Sequence, residues 1–283
     1  MASARPVRKR PSTKTTNPPK TRVKPKDGLL YGAQDFSVNP EKFVSIPNIY
    51  YRAALEKFGR TFDGARVLDF GCGDGLAAAG ICHHFAPALV HGVDINHDYI
   101  RTQEAIAGGK LDVKHTGLLE LSTIEPFSSL GEAEYDVAVS WSVLEHVSRA
   151  RFAEQLDILC RALRPGAYCV FQVAPLFYSA MGHHLFGILP PWGHLFMMES
   201  EVRECIERSA ASDDHKTGLW GMYSTLNKMT REDFAKGFAE AGFSIENEYV
   251  TRNTDTPPER LLSIYQEDCI MTEQVVWTLK KDI

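Results

Sequence analysis

The chain has 283 residues, of which 44% are hydrophobic and 24% are charged, and this composition is typical of one large globular domain or two small ones. Collagen-like, coiled-coil and wholly disordered classes are therefore excluded. The formal net charge of −5 is uneven, because residues 1–26 hold nine of the 31 Lys and Arg residues and no acid. The remainder carries 22 bases against 36 acids. We expect no nucleic-acid binding by this folded part, since phosphate binding needs a basic surface.

The amino-terminal segment is unlike the rest of the chain. Residues 1–26 contain five of the 15 prolines and almost no large apolar side chain. Such a segment cannot bury enough surface to offset its ordering entropy, so residues 1–28 are predicted to form a disordered basic tail and residues 29–283 the folded domain. The run PVRKRP (6–11) resembles a nuclear-localisation patch, and a solvated tail is the alternative.

The cysteines and one long uncharged stretch indicate in which cellular compartment the protein resides. The six cysteines form no CxxC pair, which indicates reduced thiols and a cytoplasmic protein. No Asp, Glu, Lys or Arg occurs from Pro165 to Met198. Gln172, several prolines and three histidines interrupt that stretch, so no transmembrane helix is expected.

Strand and helix patterns alternate through the first two thirds of the domain. A helix is predicted within residues 40–60 from apolar residues at helical spacing. Five strands are predicted at Arg66–Phe70, Leu89–Val93, Leu111–His115, Tyr135–Ser140 and Ala167–Val173. Helices are predicted between them at Leu76–Phe85, Ile95–Ala107 and from Ser148 to about Leu163. Buried strands that alternate with helices indicate an α/β domain with a doubly wound parallel sheet.

The alternation stops at Ala174. The next helix signal is Thr230 with Asp233, and that helix is predicted to end at Gly242. Two closing strands are predicted, at Phe243–Thr251 and Gln274–Leu279. A long interruption of this kind more often forms a substrate cover than another core layer. We therefore expect residues 174–229 to be a mobile cover inserted after the fifth strand.

The motif that indicates chemistry is VLDFGCGDG (67–75), which lies between a predicted strand and a predicted helix. Its three alternate glycines let a ligand approach the backbone near a helix N-terminus; the alternative is a tight turn that needs glycine only for its geometry. A second carboxylate, Asp94, ends the next strand, where it can accept ribose hydroxyls or cap a helix. Leu76 stands where the dinucleotide fingerprint requires glycine, which disfavours a dinucleotide oxidoreductase.

The ordered set VLDFGCGDG, GVDIN, YDVAVSWSVLEHV, LRPGAYCVFQV and a late AGF resembles class I S-adenosylmethionine-dependent methyltransferases. The resemblance implies a Rossmann-like seven-stranded sheet of order 3-2-1-4-5-7-6 with an antiparallel last strand, and S-adenosylmethionine as cofactor. Gly71 and Gly73 would admit the methionine portion, Asp94 would hold the ribose and Ile95 would pack on adenine. The full implied cofactor set is Asp69, Gly71, Cys72, Gly73, Asp94, Ile95, Gly117, Leu118 and Ser140.

Two departures from the family pattern change these expectations. The segment HTGLL (115–119) lacks the acid that often meets the adenine amine, so backbone groups near Gly117 and Leu118 are expected to serve instead. The segment SVLEHV (142–147) resembles the metal-binding region of ubiquinone-pathway O-methyltransferases. Glu145 and His146 match its ligands, but Ser142 stands at the first ligand position, and no metal is expected.

An oxygen acceptor needs its proton removed, and histidine has a suitable pKa. The candidate bases are His146, His183, His184 and His194. The alternatives are a helix-start role for His146 and a place at the polar edge of an apolar lid for the others. The aromatic residues of the predicted cover favour an acceptor that has a hydrophobic or sugar face.

The function predicted from these residues is O-methylation of a small molecule or glycan by a monomer or homodimer. A catalytically silent partner protein and a protein N-methyltransferase are the alternatives. Methylation of a nucleobase nitrogen is disfavoured, because SWSV (140–143) replaces the usual (Asp/Asn)-Pro-Pro-(Tyr/Phe).

Overall fold

The computed structural model describes residues 38–282. The predicted tail, residues 1–28, lies outside the described residues. Within them, one seven-stranded sheet has the order β3-β2-β1-β4-β5-β7-β6. Its strands are β1 Arg66–Phe70, β2 Leu89–Asp94, β3 Leu119–Thr123, β4 Tyr135–Trp141, β5 Leu163–Val173, β6 Phe243–Arg252 and β7 Thr272–Lys281. The predicted doubly wound fold and strand order are confirmed.

The strand directions bring several carboxyl ends to one edge of the sheet. Strands β3, β2, β1, β4 and β5 run parallel to one another, whereas β7 is antiparallel to both β5 and β6. In open parallel sheets, ligands bind outside the carboxyl ends of the strands where the strand order reverses. Here that place lies beyond β1 and β4.

Helices cover both faces of the sheet. They are α1 Arg52–Glu56, α2 Leu76–His84, α3 Ile100–Ala107, α4 Phe152–Ala162, α5 Glu199–Arg208, α6 Asp213–Ser224, α7 Arg231–Glu240, α8 Glu259–Leu262 and α9 Glu267–Met271. A further helix, Glu41–Tyr51, precedes α1 and is wound in the wider π-helical manner, with Arg52 N–H donating to the carbonyl of Pro47. We call Glu41–Tyr51 the N-terminal helix.

Alternating side chains of each strand supply two separate cores. In β1, Val67 packs with the N-terminal helix and α2, while Leu68 packs on the opposite face with α4 and α7. Asp69 lies on the same face as Val67, because successive side chains of a strand point to opposite faces. This alternation places a carboxyl group among apolar side chains at the end of β1.

The third strand does not lie at the residues where it was predicted. Residues 111–115 form no strand, although Leu111 and Val113 are buried as the pattern required. The strand begins at Leu119, after a short turn at Thr116–Leu118. Gly117 and Leu118 therefore precede β3, at the end of the sheet opposite the ligand-binding edge.

The segment predicted to be a cover, residues 174–229, contains helices α5 and α6. Its buried aromatic residues belong to two further clusters: Phe177 packs with helix α5 in one, and Trp192 packs against Leu261 of α8 in the other. Much of the apolar surface from 174 to 198 is therefore buried against neighbouring helices, whereas Phe186, Phe196 and Met198 are exposed. No helix among the described residues is long and apolar enough to cross a membrane.

Candidate active site

A cavity of about 1090 Å³ lies at the carboxyl ends of β1, β2 and β4. The N-terminal helix forms one wall and α6 forms another, while the loops after β1, β2, β3 and β4 form the floor and sides. Both walls come from segments outside the regular strand and helix alternation.

The glycine loop after β1 is shaped by the backbone. The N–H groups of Gly71 and Cys72 both donate to the carbonyl of Val93, at 2.8 and 3.0 Å. Gly71 has φ +75°, and a Cβ atom there would lie 2.3 Å from the side chain of Val143. Both the left-handed conformation and this close approach require glycine. The loop therefore brings backbone groups to the cavity surface.

Asp94 connects the glycine loop to the end of β2. Its two carboxylate oxygens accept hydrogen bonds from the backbone N–H groups of Gly73 and Asn96, each at 2.8 Å. A carboxylate can accept about four hydrogen bonds, so further acceptor capacity faces the cavity. The adjacent Ile95 side chain is 57% exposed and lines the cavity beside it.

Asp69 is buried in the cavity wall, and its Oδ2 atom has no hydrogen-bond partner within residues 38–282. Burial, followed by the charges of Asp94 and Asp74, raises the pKa of Asp69 to about 7, while Lys42 opposes this rise. The Lys42 ammonium lies 2.7 Å from the Asp74 carboxylate and joins the N-terminal helix to the glycine loop.

Tyr51 is a site residue that the sequence did not reveal. It is fully buried, lines the same cavity, and its hydroxyl has no hydrogen-bond partner in the described part of the chain. Burial raises the pKa of Tyr51, and the charge of Asp69 adds to the effect. Unpaired buried polar groups are costly. Two such groups, on Tyr51 and Asp69, are the feature expected where a polar ligand completes the site.

The predicted adenine contacts require a correction. Gly117 and Leu118 do not line the cavity, because the strand that they were thought to follow begins only at Leu119. The loop after the actual strand supplies Ile124 and Phe127 to the cavity wall. The guanidinium carbon of Arg151 lies 3.5 Å from the centre of the Phe127 ring.

Of the four candidate histidines, His146 alone lines this cavity. It lies in a short turn after β4, and its Nδ1 is 2.9 Å from the hydroxyl of Thr225, next to α6. The ring of His184 meets it edge-on, with centroids 5.3 Å apart. Burial and, secondarily, His184 lower the pKa of His146 to about 4. The ring is therefore neutral at physiological pH.

The cover histidines are buried away from the cavity. His194 Nε2 is 2.6 Å from the carbonyl of Phe177, and His184 Nε2 is 3.0 Å from the carbonyl of Pro175. His183 Nδ1 accepts from the N–H of Leu185 at 2.8 Å. The rings of His183 and His194 meet edge-on within this segment, with centroids 5.1 Å apart. His184 reaches the site only through its contact with His146.

The cavity-facing part of the cover is instead α6. Gly218, Gly221, Met222 and the following Thr225 line the cavity. A Cβ atom at either glycine would meet nothing within 4 Å. The helix is thus thin on this side and leaves space for a ligand.

Ser140 and Cys72 of the predicted cofactor set, together with Ser142, lie at or beside the cavity. Ser140 is fully buried and donates a 2.9 Å hydrogen bond to the carbonyl of Phe70, which joins β4 to β1 beneath the glycine loop. Ser142 lines the cavity and bonds to Gln172 of β5. Cys72 lines the cavity as well. Within residues 38–282, no three His, Cys, Asp or Glu side chains are arranged to hold a metal ion.

Glu145 is buried behind His146, only 3% exposed, and its Oε2 has no partner among the described residues. Burial raises the pKa of Glu145 to about 8, although the N–H of Ala174, which donates to Oε1 at 3.4 Å, opposes the rise. When the folded-state pKa of a carboxyl group is raised, its contribution to stability is fully present at pH values below its unfolded-state pKa. That contribution is lost as the pH rises through the folded-state value.

We therefore expect Glu145→Gln to raise the free energy of unfolding by about 2–4 kcal/mol at pH 8, since each pKa unit corresponds to about 1.4 kcal/mol. Below pH 4 the two proteins should be equally stable. Urea unfolding at several pH values measures the difference, with the exposed Glu132→Gln as control. A wild-type protein more stable than Glu145→Gln at pH 8 would contradict the raised pKa of Glu145.

The strand order, the glycine loop and the carboxylate at the end of β2 together define the fold class of S-adenosylmethionine-dependent methyltransferases. Comparison with known proteins agrees: residues 48–248 match the sequence profile of a family described as "Methyltransferase domain". The chain belongs to this methyltransferase family.

Individual relatives are more distant. The ubiquinone biosynthesis O-methyltransferase of Vibrio cholerae serotype O1 is 27% identical over 180 residues, which cover 58% of this chain and 68% of that protein. The enzyme of the same description from Vibrio parahaemolyticus is 29% identical over 188 residues, or 61% of this chain and 73% of that protein.

Solved structures share the fold. Phosphoethanolamine N-methyltransferase 2 of Haemonchus contortus, in complex with S-adenosyl-L-methionine, has a TM-score of 0.50 and 15% identity, covering 82% of this chain and 52% of that chain. The cyclase SpnF also has a TM-score of 0.50 and 15% identity, covering 82% of this chain and 80% of that chain. Since a fold alone does not fix the reaction, the acceptor must be argued from the cavity.

Proposed function

We propose that this protein transfers a methyl group from S-adenosylmethionine to a hydroxyl group of an uncharged small molecule. The observation that carries the proposal is the placement of His146 in the same cavity as the glycine loop and Asp94. A neutral histidine and the glycine loop thus border the same cavity. The O-methyltransferase relatives support an oxygen acceptor.

The residues of one half of the cavity fit the cofactor. Asp94 would accept hydrogen bonds from the ribose hydroxyls, and Ile95 with Phe127 would contact the adenine. The unpaired Asp69 carboxyl and Tyr51 hydroxyl would meet the amino-acid end. When bound, S-adenosylmethionine supplies an electrophilic methyl group on a positively charged sulfur atom.

The distribution of charge limits the acceptor. All charged side chains that line the cavity belong to the cofactor half; they are Glu41, Lys42, Asp69, Asp74 and Asp94. The other half, between β4 and α6, has no Asp, Glu, Lys or Arg among its described lining residues. An ionised acceptor would lose its hydration there without gaining a counterion, at a cost of several kcal/mol. An uncharged acceptor avoids this cost.

The acceptor half also suits a hydroxyl group on an apolar body. Trp141, Val143, Val147 and Met222 supply apolar surface, and His146 supplies a proton acceptor. As the acceptor oxygen forms its bond to the methyl carbon and the bond from carbon to sulfur breaks, His146 would take the hydroxyl proton. In-line displacement of this kind depends mainly on positioning and on exclusion of water.

The test is to incubate the protein with trideuteromethyl-labelled S-adenosylmethionine and a whole-cell extract. The proteins of the extract are then separated from its small molecules, and the small molecules are fractionated by ion exchange before mass spectrometry. We expect the label on oxygen, in compounds that bind neither an anion nor a cation exchanger. The Asp94→Ala variant serves as the control. Label on proteins or on charged amines would contradict the proposal, and absence of any label would favour the catalytically silent alternative.

A further inference from the structure

We propose that Thr225 is a positioning residue that holds the His146 ring in the tautomer with a proton on Nδ1, leaving Nε2 as the free proton acceptor. The inference rests on the proposed function, in which His146 is the base. It concerns a residue of the cover, about eighty positions away in the chain, that touches the base through one hydrogen bond.

The hydrogen bonds around Thr225 determine the direction of that bond. The Thr225 hydroxyl lies 2.9 Å from the carbonyl oxygen of Gly221 and 3.1 Å from that of Met222. Carbonyl oxygens only accept, so the single hydroxyl proton is directed to one of them. The lone pairs of the hydroxyl then remain for His146, whose Nδ1 must donate.

The opposite tautomer would make one hydrogen bond fewer. If Nδ1 of His146 were unprotonated, the Thr225 hydroxyl would have to donate to it, and the nearby carbonyl oxygens would lose their donor from that hydroxyl. The ring nitrogens of a histidine are coupled, so a proton held on Nδ1 leaves Nε2 with a lone pair. Among residues 38–282, no hydrogen bond to Nε2 of His146 is formed, and the ring borders the cavity.

A second residue holds Thr225 in place. The Asn227 side-chain amide donates to the carbonyls of Leu144 and Val147, at 2.8 and 3.0 Å. The Asn227 backbone N–H donates to the carbonyl of Glu145 at 2.8 Å. These three bonds fasten the end of α6 to the turn that carries His146. The base is therefore oriented only when this part of the cover is docked.

The direct test is the tautomer itself, measured by long-range ¹H–¹⁵N NMR of histidine-labelled protein at pH 7.5 with S-adenosylhomocysteine. His146→Gln identifies the resonance by difference, since the chain has ten histidines. We expect wild type and Thr225→Ser to carry the proton on Nδ1. Thr225→Val, which keeps the shape but lacks the hydroxyl, should shift the population towards protonated Nε2.

In turnover assays, Thr225→Val should lower kcat about fivefold to tenfold, the factor that one neutral hydrogen bond is worth, while Thr225→Ser should restore it. Wild type, Thr225→Val and Thr225→Ser should bind S-adenosylhomocysteine with the same affinity, which shows that all three fold. If Thr225→Val does not fold, Thr225→Ala replaces it. A wild-type ring protonated on Nε2, or a tautomer unchanged by Thr225→Val, would overturn the inference. Failure of the proposed function would differ: the tautomer would respond to Thr225 while His146→Ala kept full turnover.

Discussion

Replacing His146 by alanine is expected to lower turnover by about 10²–10⁴-fold and to leave affinity for S-adenosylhomocysteine nearly unchanged. The ring borders the acceptor half of the cavity, and its described partners are Thr225 and His184 rather than the glycine loop. Removing it therefore deletes proton transfer without disturbing the residues proposed to hold the cofactor. Steady-state kinetics on the labelled product and calorimetry with S-adenosylhomocysteine measure the two quantities.

The pH dependence provides a second measurement for the same variant. Burial lowers the pKa of His146 to about 4, so the ring becomes protonated, and inactive as a base, only below that pH. The wild-type rate should fall as the pH is lowered through about 4, and the variant should lack this fall. His215→Ala, an exposed histidine on α6, is the matched control. Full turnover of His146→Ala would mean that the acceptor needs no base. The methyl-accepting atom would then be nitrogen or carbon instead of oxygen.

Asp94→Ala should weaken S-adenosylhomocysteine binding by about 1–3 kcal/mol, or roughly 5- to 150-fold. The substitution removes the proposed acceptor for the ribose hydroxyls. It also leaves the N–H groups of Gly73 and Asn96 without their present partner, so the glycine loop keeps only its backbone hydrogen bonds to Val93 of β2.

Calorimetry of wild type, Asp94→Ala and the control Asp98→Ala measures this effect. Asp98 is an exposed acid in the turn that follows Asp94, so its removal changes the local charge by the same amount. Wild type should not bind NAD. Equal weakening by both substitutions would show that charge near the loop, rather than the hydrogen bonds of Asp94, governs affinity.

Six of the seven strands were predicted within a few residues: β1, β2, β4 and β5, which are largely buried, and the two long closing strands β6 and β7. The edge strand β3 could not be predicted, because in it only Leu121 is buried. The stronger apolar alternation of residues 111–115 correctly indicated burial of Leu111 and Val113. Burial does not require strand hydrogen bonds, and here those residues pack as a loop.

The residues of the candidate site that belong to a sequence motif could be predicted. Those that are brought to the cavity only by tertiary packing could not. The glycine loop and Asp94 lie in the cavity as the motif indicated. The sequence could not separate His146 from the three cover histidines, since all lie near apolar runs and only the fold turns one towards the cavity. Tyr51 resembles any aromatic residue of a helix core, and nothing in the composition of α6 marks its glycines as a cavity wall.

The N-terminal helix lines the cavity, although the family match includes only its last residues. The family match begins at residue 48, within Glu41–Tyr51, whereas the cavity wall already begins at Asn39. A chain cut at the family boundary would keep every strand of the sheet but would lack Lys42 and Ile46, and water would enter from that side. The family match and the lining of the cavity therefore begin at different residues.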